Sequence, residues 1–139
     1  MITRSLRTSS ILITDRFSVC MLARRIYSAA ATKQKHEWIV IIPDHEGMLP
    51  KRMEVRPDHL KALTPSVESG FWKLGGAMLE EVPKEGEGPK MKGSVMLALA
   101  ESKGEVLKAL QEDIYYKSGV WDWEKVQIYP FKSAFRQAL

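Results

Sequence analysis

Residues 38–42 form an unbroken apolar run, Trp38-Ile39-Val40-Ile41-Ile42, that ends at Pro43-Asp44 and Gly47. Such a run closed by turn formers predicts a buried strand. The period then changes. Leu60, Leu63 and Val67 fall on one helical stripe, Pro57 suits a first helical position and Gly70 suits a stop, so a helix is predicted from Pro57 onward, with Pro65 as a kink. A start near Pro50 is the alternative, because residues 52–55 hold no breaker. Residues 71–79 read as a second strand, with Gly75-Gly76 marking a bulge or a close backbone approach. A polar loop over 80–92 follows, and 94–100 is a third, wholly apolar strand. Ser102-Lys103-Gly104-Glu105 has the form of a capping box and opens a helix with Val106, Leu107 and Leu110 inward. A turn or short helix over 115–119 and a last strand over 125–129, ended by Pro130, complete the pattern.

This order, β-α-β-β-α-β, is the split βαβ of α+β, ferredoxin-like folds. Two helices cover one face of a four-stranded sheet. The strands at 38–42 and 95–100 nevertheless carry apolar residues on both faces, so a second copy packed sheet to sheet is expected to cover the other one, giving a homodimer.

Length and composition change little in this picture, but charge placement does. A chain of 139 residues with 45% hydrophobic and 27% charged positions is long enough for one packed core and too short for two. Of its net charge of +4, all sits in residues 1–27, where Arg4, Arg7, Arg16, Arg24 and Arg25 face Asp15 alone. The remaining 16 basic and 16 acidic residues balance, which removes the argument for a nucleic-acid partner. An Arg- and Ser-rich leader with a single acid has the composition of a mitochondrial transit peptide, and Arg25-Ile26-Tyr27 before Ser28 resembles a processing site. Its longest apolar run, 19–23, is too short to span a bilayer. Residues 1–34 are therefore expected to be a transit peptide and leader to the mitochondrial matrix, and 35–139 the folded domain. Cys20, the single cysteine, lies in that leader, so disulfides, thiolate zinc sites and cysteine nucleophiles are not expected in the mature protein.

Candidate chemistry centres on His59 in Arg56-Pro57-Asp58-His59-Leu60 and on Asp113 in Asp113-Ile114-Tyr115. Near the start of a helix, His59 is well placed to accept a proton, and Asp113 would fix its tautomer and support the cation formed. A core-packed or solvated histidine and a turn-initiating aspartate are the plain alternatives. Arg56, one residue before the predicted helix, could hold a carboxylate or enolate, or pair with a surface acid. Gly75, Gly76 and Ser94 could line a pocket with backbone and hydroxyl donors. His36 and His45 share no metal-ligand spacing with His59, so no metal site is expected. Gly86, Gly88 and Gly93 lack the Gly-Lys-Ser/Thr of a phosphate loop, and Ser94 lacks a nucleophile elbow. Trp38, Trp72, Trp121 and Trp123 suit a core or dimer interface better than a base-stacking platform.

These residues, in order with Leu74-Gly75-Gly76, Gly93-Ser94, Gly119-Val120 and Pro130-Phe131-Lys132, resemble the YCII-related domain family over roughly residues 38–135. One departure is Ile114, where that family usually carries proline. The resemblance implies a dimeric α/β barrel with ferredoxin-like protomers, and a histidine and aspartate site that maps onto His59 and Asp113. A relative that removes chloride from a chlorinated hydroxyquinol is understood to use such a dyad, and muconolactone isomerases share the fold. The resulting expectation is a cofactor-free lyase or isomerase acting on a small anionic, enolisable or cyclic substrate, with His59 moving the proton, Asp113 orienting it and Arg56 holding the anion. The alternative is a non-catalytic small-molecule-binding or assembly module on the same fold.

Overall fold

The computed structural model describes residues 33–137. The transit-peptide reading of 1–34, with Cys20, lies outside them but for residues 33 and 34. Strand β1 (His36–Pro43) is followed by helix α1 (Leu49–Glu68), strands β2 (Trp72–Leu79) and β3 (Met91–Ala100), helices α2 (Lys103–Glu112) and α3 (Ile114–Lys117), a 3-10 turn (Trp123–Lys125) and strand β4 (Gln127–Phe131). The sheet is antiparallel in the order β2-β3-β1-β4, and the fold is the α+β, ferredoxin-like one.

Register explains why both faces of the central strands are apolar. Val40 pairs with Met96 and Ile128, and Ile42 pairs with Ser94, on the face that the helices cover. Val106 and Leu110 of α2 pack against that face and complete the core with Ala98, Ala100 and Trp72. The other face carries Ile39, Ile41, Val95, Leu97 and Leu99, flanked by Tyr129 and Phe131 of β4. Among the described residues no helix covers it. Between the faces, β1 and β3 approach so closely at Pro43 and Gly93 that a Cβ on Gly93 would sit 2.5 Å from the Ile42 carbonyl oxygen and 2.9 Å from the Pro43 Cα.

Three sequence expectations need correction. Helix α1 begins at Leu49, with Pro50 in its first turn, and runs through both Pro57 and Pro65. Both prolines lie on its exposed side, where water can take up the carbonyl that each missing N–H leaves free. The register shifts in β2 fall between Trp72 and Leu74 and between Met78 and Leu79 rather than at Gly75-Gly76, which pair regularly with Met96 and Val95. Pro130 lies within β4, opposite Trp38, because β4 is an edge strand and needs no outward donor there. Gly70 ends α1 as expected, with φ of +76° just after the Ser69 cap. At α2 the Ser102 hydroxyl accepts from the Glu105 N–H, while the Glu105 carboxylate reaches back to the N–H of Glu101, one residue beyond the usual box.

Candidate functional site

Along α1, Arg52, Arg56, His59, Leu60, Leu63 and Val67 recur every three or four residues and so share a face. Opposite them, the register turns Gly75 (paired with Met96) and Ala77 (paired with Ser94) toward the helices. Neither residue can fill the gap, and a Cβ built on Gly75 meets nothing within 4 Å. The result is a cavity of about 700 Å³ between α1 and the β2 side of the sheet. It is lined by Arg52, Arg56, His59, Ser94 and Tyr115, by apolar residues including Leu60, Leu63, Val67, Trp72 and Met96, and by Thr64, Glu68 and Lys73.

His59 and Asp113 meet at this cavity. The imidazole Nδ1 lies 2.8 Å from each Asp113 carboxylate oxygen, and both residues are 7% exposed. Asp113 is held from two sides, since it ends α2 and its Oδ1 also accepts the Tyr115 N–H at 2.8 Å, capping α3. The functional and the plain readings of this aspartate are thus both realised. With Nδ1 donating to the carboxylate, Nε2 is left as the acceptor, with no protein partner among the described residues. The ring is packed against Tyr115, with centroids 3.9 Å apart and planes 22° from parallel, and meets the edge of Trp121 at 6.1 Å. Burial pushes the Tyr115 phenol above its usual range, while Arg52 and Arg56 pull it down, so the hydroxyl stays a donor at neutral pH.

A second buried pair supports the floor. Arg52, 3% exposed, donates from one terminal nitrogen to both Asp44 oxygens at 2.8 and 3.0 Å and from the other to Ser94 Oγ at 2.9 Å. Its guanidinium carbon stands 4.5 Å from the Tyr115 ring centroid. Its Nε has no partner. Ser94 Oγ also accepts from Trp121 Nε1 at 3.2 Å, which leaves the serine's own hydrogen free to donate. Trp121 is fixed in turn by backbone bonds that stitch residues 120–122 to the end of β1, including His45 N–H to Val120 at 2.9 Å and Asp122 N–H to Pro43 at 2.8 Å. Asp44 ends above the ordinary carboxylate range because burial outweighs the pull of Arg52.

The structure brings together all six residues that the sequence singled out. Arg56, His59, Gly75, Gly76 and Ser94 line the cavity, and Asp113 stands behind His59. Two local arguments fail, however. His59 lies in the middle of α1, so the helix-start dipole does not act on it, and Arg56 is likewise inside the helix rather than before it. Arg56 keeps its cation free, with no ion-pair partner among the described residues. Sequence reasoning missed Arg52, Asp44 and Tyr115 as parts of the site. The four-residue spacing of Arg52 and Arg56 was the available signal, hidden by starting the helix at Pro57. Among the described residues no cluster of three metal-ligating side chains occurs, and no helix is long and apolar enough to cross a membrane.

Comparison with known proteins identifies the family and the fold. Fusaric acid biosynthesis protein 2 of Gibberella fujikuroi is 38% identical over 103 residues, covering 74% of this chain and 98% of its own length. An aspartate kinase of Fusarium oxysporum f. sp. lycopersici is 38% identical over 75% of this chain, which spans only 19% of that longer protein. Among solved structures, 5-chloro-2-hydroxyhydroquinone dehydrochlorinase of Burkholderia phenoliruptrix AC1100, in complex with 2,5-dihydroxybenzoquinone, superposes with a TM-score of 0.60. It covers 69% of this chain and 93% of its own at 24% identity, a likeness of fold. Residues 37–132 match the model of the YCII-related domain, and the chain belongs to the YCII-related domain family.

Proposed function

We propose that this protein is a small-molecule-converting enzyme, a lyase or isomerase that needs no cofactor and acts on an anionic, enolisable or cyclic substrate. The observation that carries the reading is the His59–Asp113 pair, with Nδ1 at 2.8 Å from the carboxylate and Nε2 left without a protein partner at a cavity. His59 Nε2 takes a proton from carbon adjacent to a carbonyl, and the electron pair moves onto the carbonyl oxygen as an enolate. Asp113 holds the tautomer and stabilises the imidazolium. Arg56 and the hydroxyls of Ser94 and Tyr115 stand at the same end of the cavity to hold the oxyanion. Return of the proton to a different carbon completes an isomerisation. Expulsion of a leaving group with its bonding pair, as the enolate collapses, completes an elimination. The fold neighbour's dehydrochlorination is an elimination of that kind, and the relative named for fusaric acid biosynthesis supports a small-molecule setting.

The test begins with metabolite profiling of a loss-of-function strain to find the accumulating compound, followed by turnover assays. In His59→Ala, kcat is expected to fall by about 10²- to 10⁴-fold, the usual contribution of a positioned base. Asp113→Asn is the cleaner variant, because its amide oxygen can still accept the Tyr115 N–H while its NH₂ faces Nδ1 and forces the proton onto Nε2. A comparable loss is expected with α3 intact. Full turnover in either variant would remove the dyad from the mechanism, whereas binding of the accumulated compound without turnover by the wild-type protein would leave a non-catalytic binding module as the correct reading. We further propose that two copies pack through the open sheet face, and that residues 1–34 direct import into mitochondria, which fusion of that segment to a fluorescent reporter tests directly.

A further inference from the structure

The dyad occupies one end of a cavity much larger than a single-ring substrate requires. At roughly 30 Å³ per water-sized unit, a ten-atom ring acid would fill less than half of its 700 Å³. The polar groups of the site gather where Arg56, His59, Ser94 and Tyr115 stand, Leu60, Leu63, Val67, Trp72 and Met96 line most of the remainder, and the exposed Thr64, Glu68 and Lys73 edge it. From Arg56 to Val67 the α1 wall runs about 16 Å at 1.5 Å per residue. Leu60 and Val67, which are 46% and 54% exposed, border this space, so the apolar surface of α1 continues into it. The formal charges of Glu68 and Lys73 offset each other. Arg52 is neutralised by Asp44, while Arg56 is an unpaired cation among the described residues.

We infer that the natural ligand is an amphipathic monoanion, with a carboxylate or enolate head between Arg56 and His59 and an apolar chain or second ring lying between α1 and β2 against Leu63, Val67 and Trp72. The inference rests on reading the His59 cavity as a ligand site, but it does not require catalysis. The enzyme then selects by chain as well as by head, and its substrates are alkyl- or aryl-extended acids rather than bare ring acids.

A homologous series tests this without knowledge of the substrate. The full-length protein is titrated with straight-chain carboxylates from butanoate to decanoate by calorimetry, with tryptophan fluorescence as a second readout. Each added methylene is expected to lower Kd by about fourfold, and the alcohol of the same length is expected to bind more weakly. Gly75→Leu, which fills the cavity from β2, should abolish the dependence on length. Val67→Asp, at an exposed position that folding tolerates, should weaken decanoate selectively and leave butanoate unchanged. Arg56→Gln should remove the preference for carboxylate over alcohol. His59→Ala should keep the length dependence, which separates this inference from the catalytic reading. A Kd that is flat with chain length, or a length dependence unchanged from wild type in both Gly75→Leu and Val67→Asp, would overturn it, the latter by locating the chains outside the cavity.

Discussion

At the residue scale the site depends on two buried charge pairs with different jobs. His59–Asp113 faces the cavity, whereas Arg52–Asp44 lies beneath it and fixes Ser94 and the Tyr115 ring from below. Breaking a buried pair leaves a charge without compensation, so Arg52→Met is expected to destabilise the fold by about 3 kcal/mol. The sign of its pH dependence follows from Asp44. A carboxyl whose folded pKa is raised above its unfolded value of 3.8 contributes stability that is fully present below that value and is lost as pH rises through the folded one. Arg52 is the group that limits this rise, so removing it widens the window. The deficit of Arg52→Met should therefore be largest at neutral pH and shrink in acid, and urea unfolding at pH 3.5, 5 and 7 measures it. A deficit that does not vary with pH would mean that Arg52 acts through packing alone. The pairing of His59 with Asp113 was legible as a possibility, since each stood out by residue type and place. Arg52 was not, because a buried arginine looks like a surface one until its partners, 8 and 42 residues away, are placed.

At the element scale, most boundaries followed from pattern, because strand interiors and the Ser102 cap announce themselves locally. The start of α1 did not. Pro50 and Pro57 carry the same first-turn signal, and what decides between them is the solvent exposure of Pro57, a tertiary property. The cavity was equally invisible as a volume, although Gly75 and Gly76 stood out in the sequence and line it, because emptiness depends on which face the register turns inward. Past β4, the chain is tied back by Glu37 of β1, whose carboxylate accepts the Ser133 N–H at 2.6 Å and pairs with Arg136. That backbone bond, with Arg136 assisting, holds Glu37 below the ordinary glutamate range. A lowered carboxyl gives a contribution that is present above its unfolded value of 4.5 and lost as pH falls through the folded one. The segment over 133–136 should thus stay docked at neutral pH and exchange its amide hydrogens faster in acid, after correction for the intrinsic pH effect. Glu37→Gln should show the acid behaviour at pH 7. Equal protection of Ser133 in both proteins at pH 7 would remove this tether from the account.

At the scale of the whole molecule, one face of the sheet remains to be explained. Two helices cover Val40, Ile42 and Met96, while the opposite face presents Ile39, Ile41, Val95 and Leu99 to no other element among the described residues. Its margin is more exposed still, with Tyr129 at 53% and Phe131 at 44%. In the proposed dimer, identical copies meeting face to face would bury this apolar surface with twofold symmetry. The edges give the same face its selectivity, because Pro130 leaves β4 without one of its outward donors and discourages strand addition there. The protein should therefore elute at twice its 15.8 kDa mass in light scattering. Tyr129 offers the sharpest probe, since its side chain is already half exposed and contributes little to the protomer's own core. A glutamate there places a charge on each side of a twofold contact, and two buried like charges oppose association far more than one alters folding. Tyr129→Glu should run as a monomer with an unchanged far-UV spectrum. If the wild-type chain is itself monomeric at micromolar concentration, the apolar face must be stable in water by some other means, and the dimer is wrong.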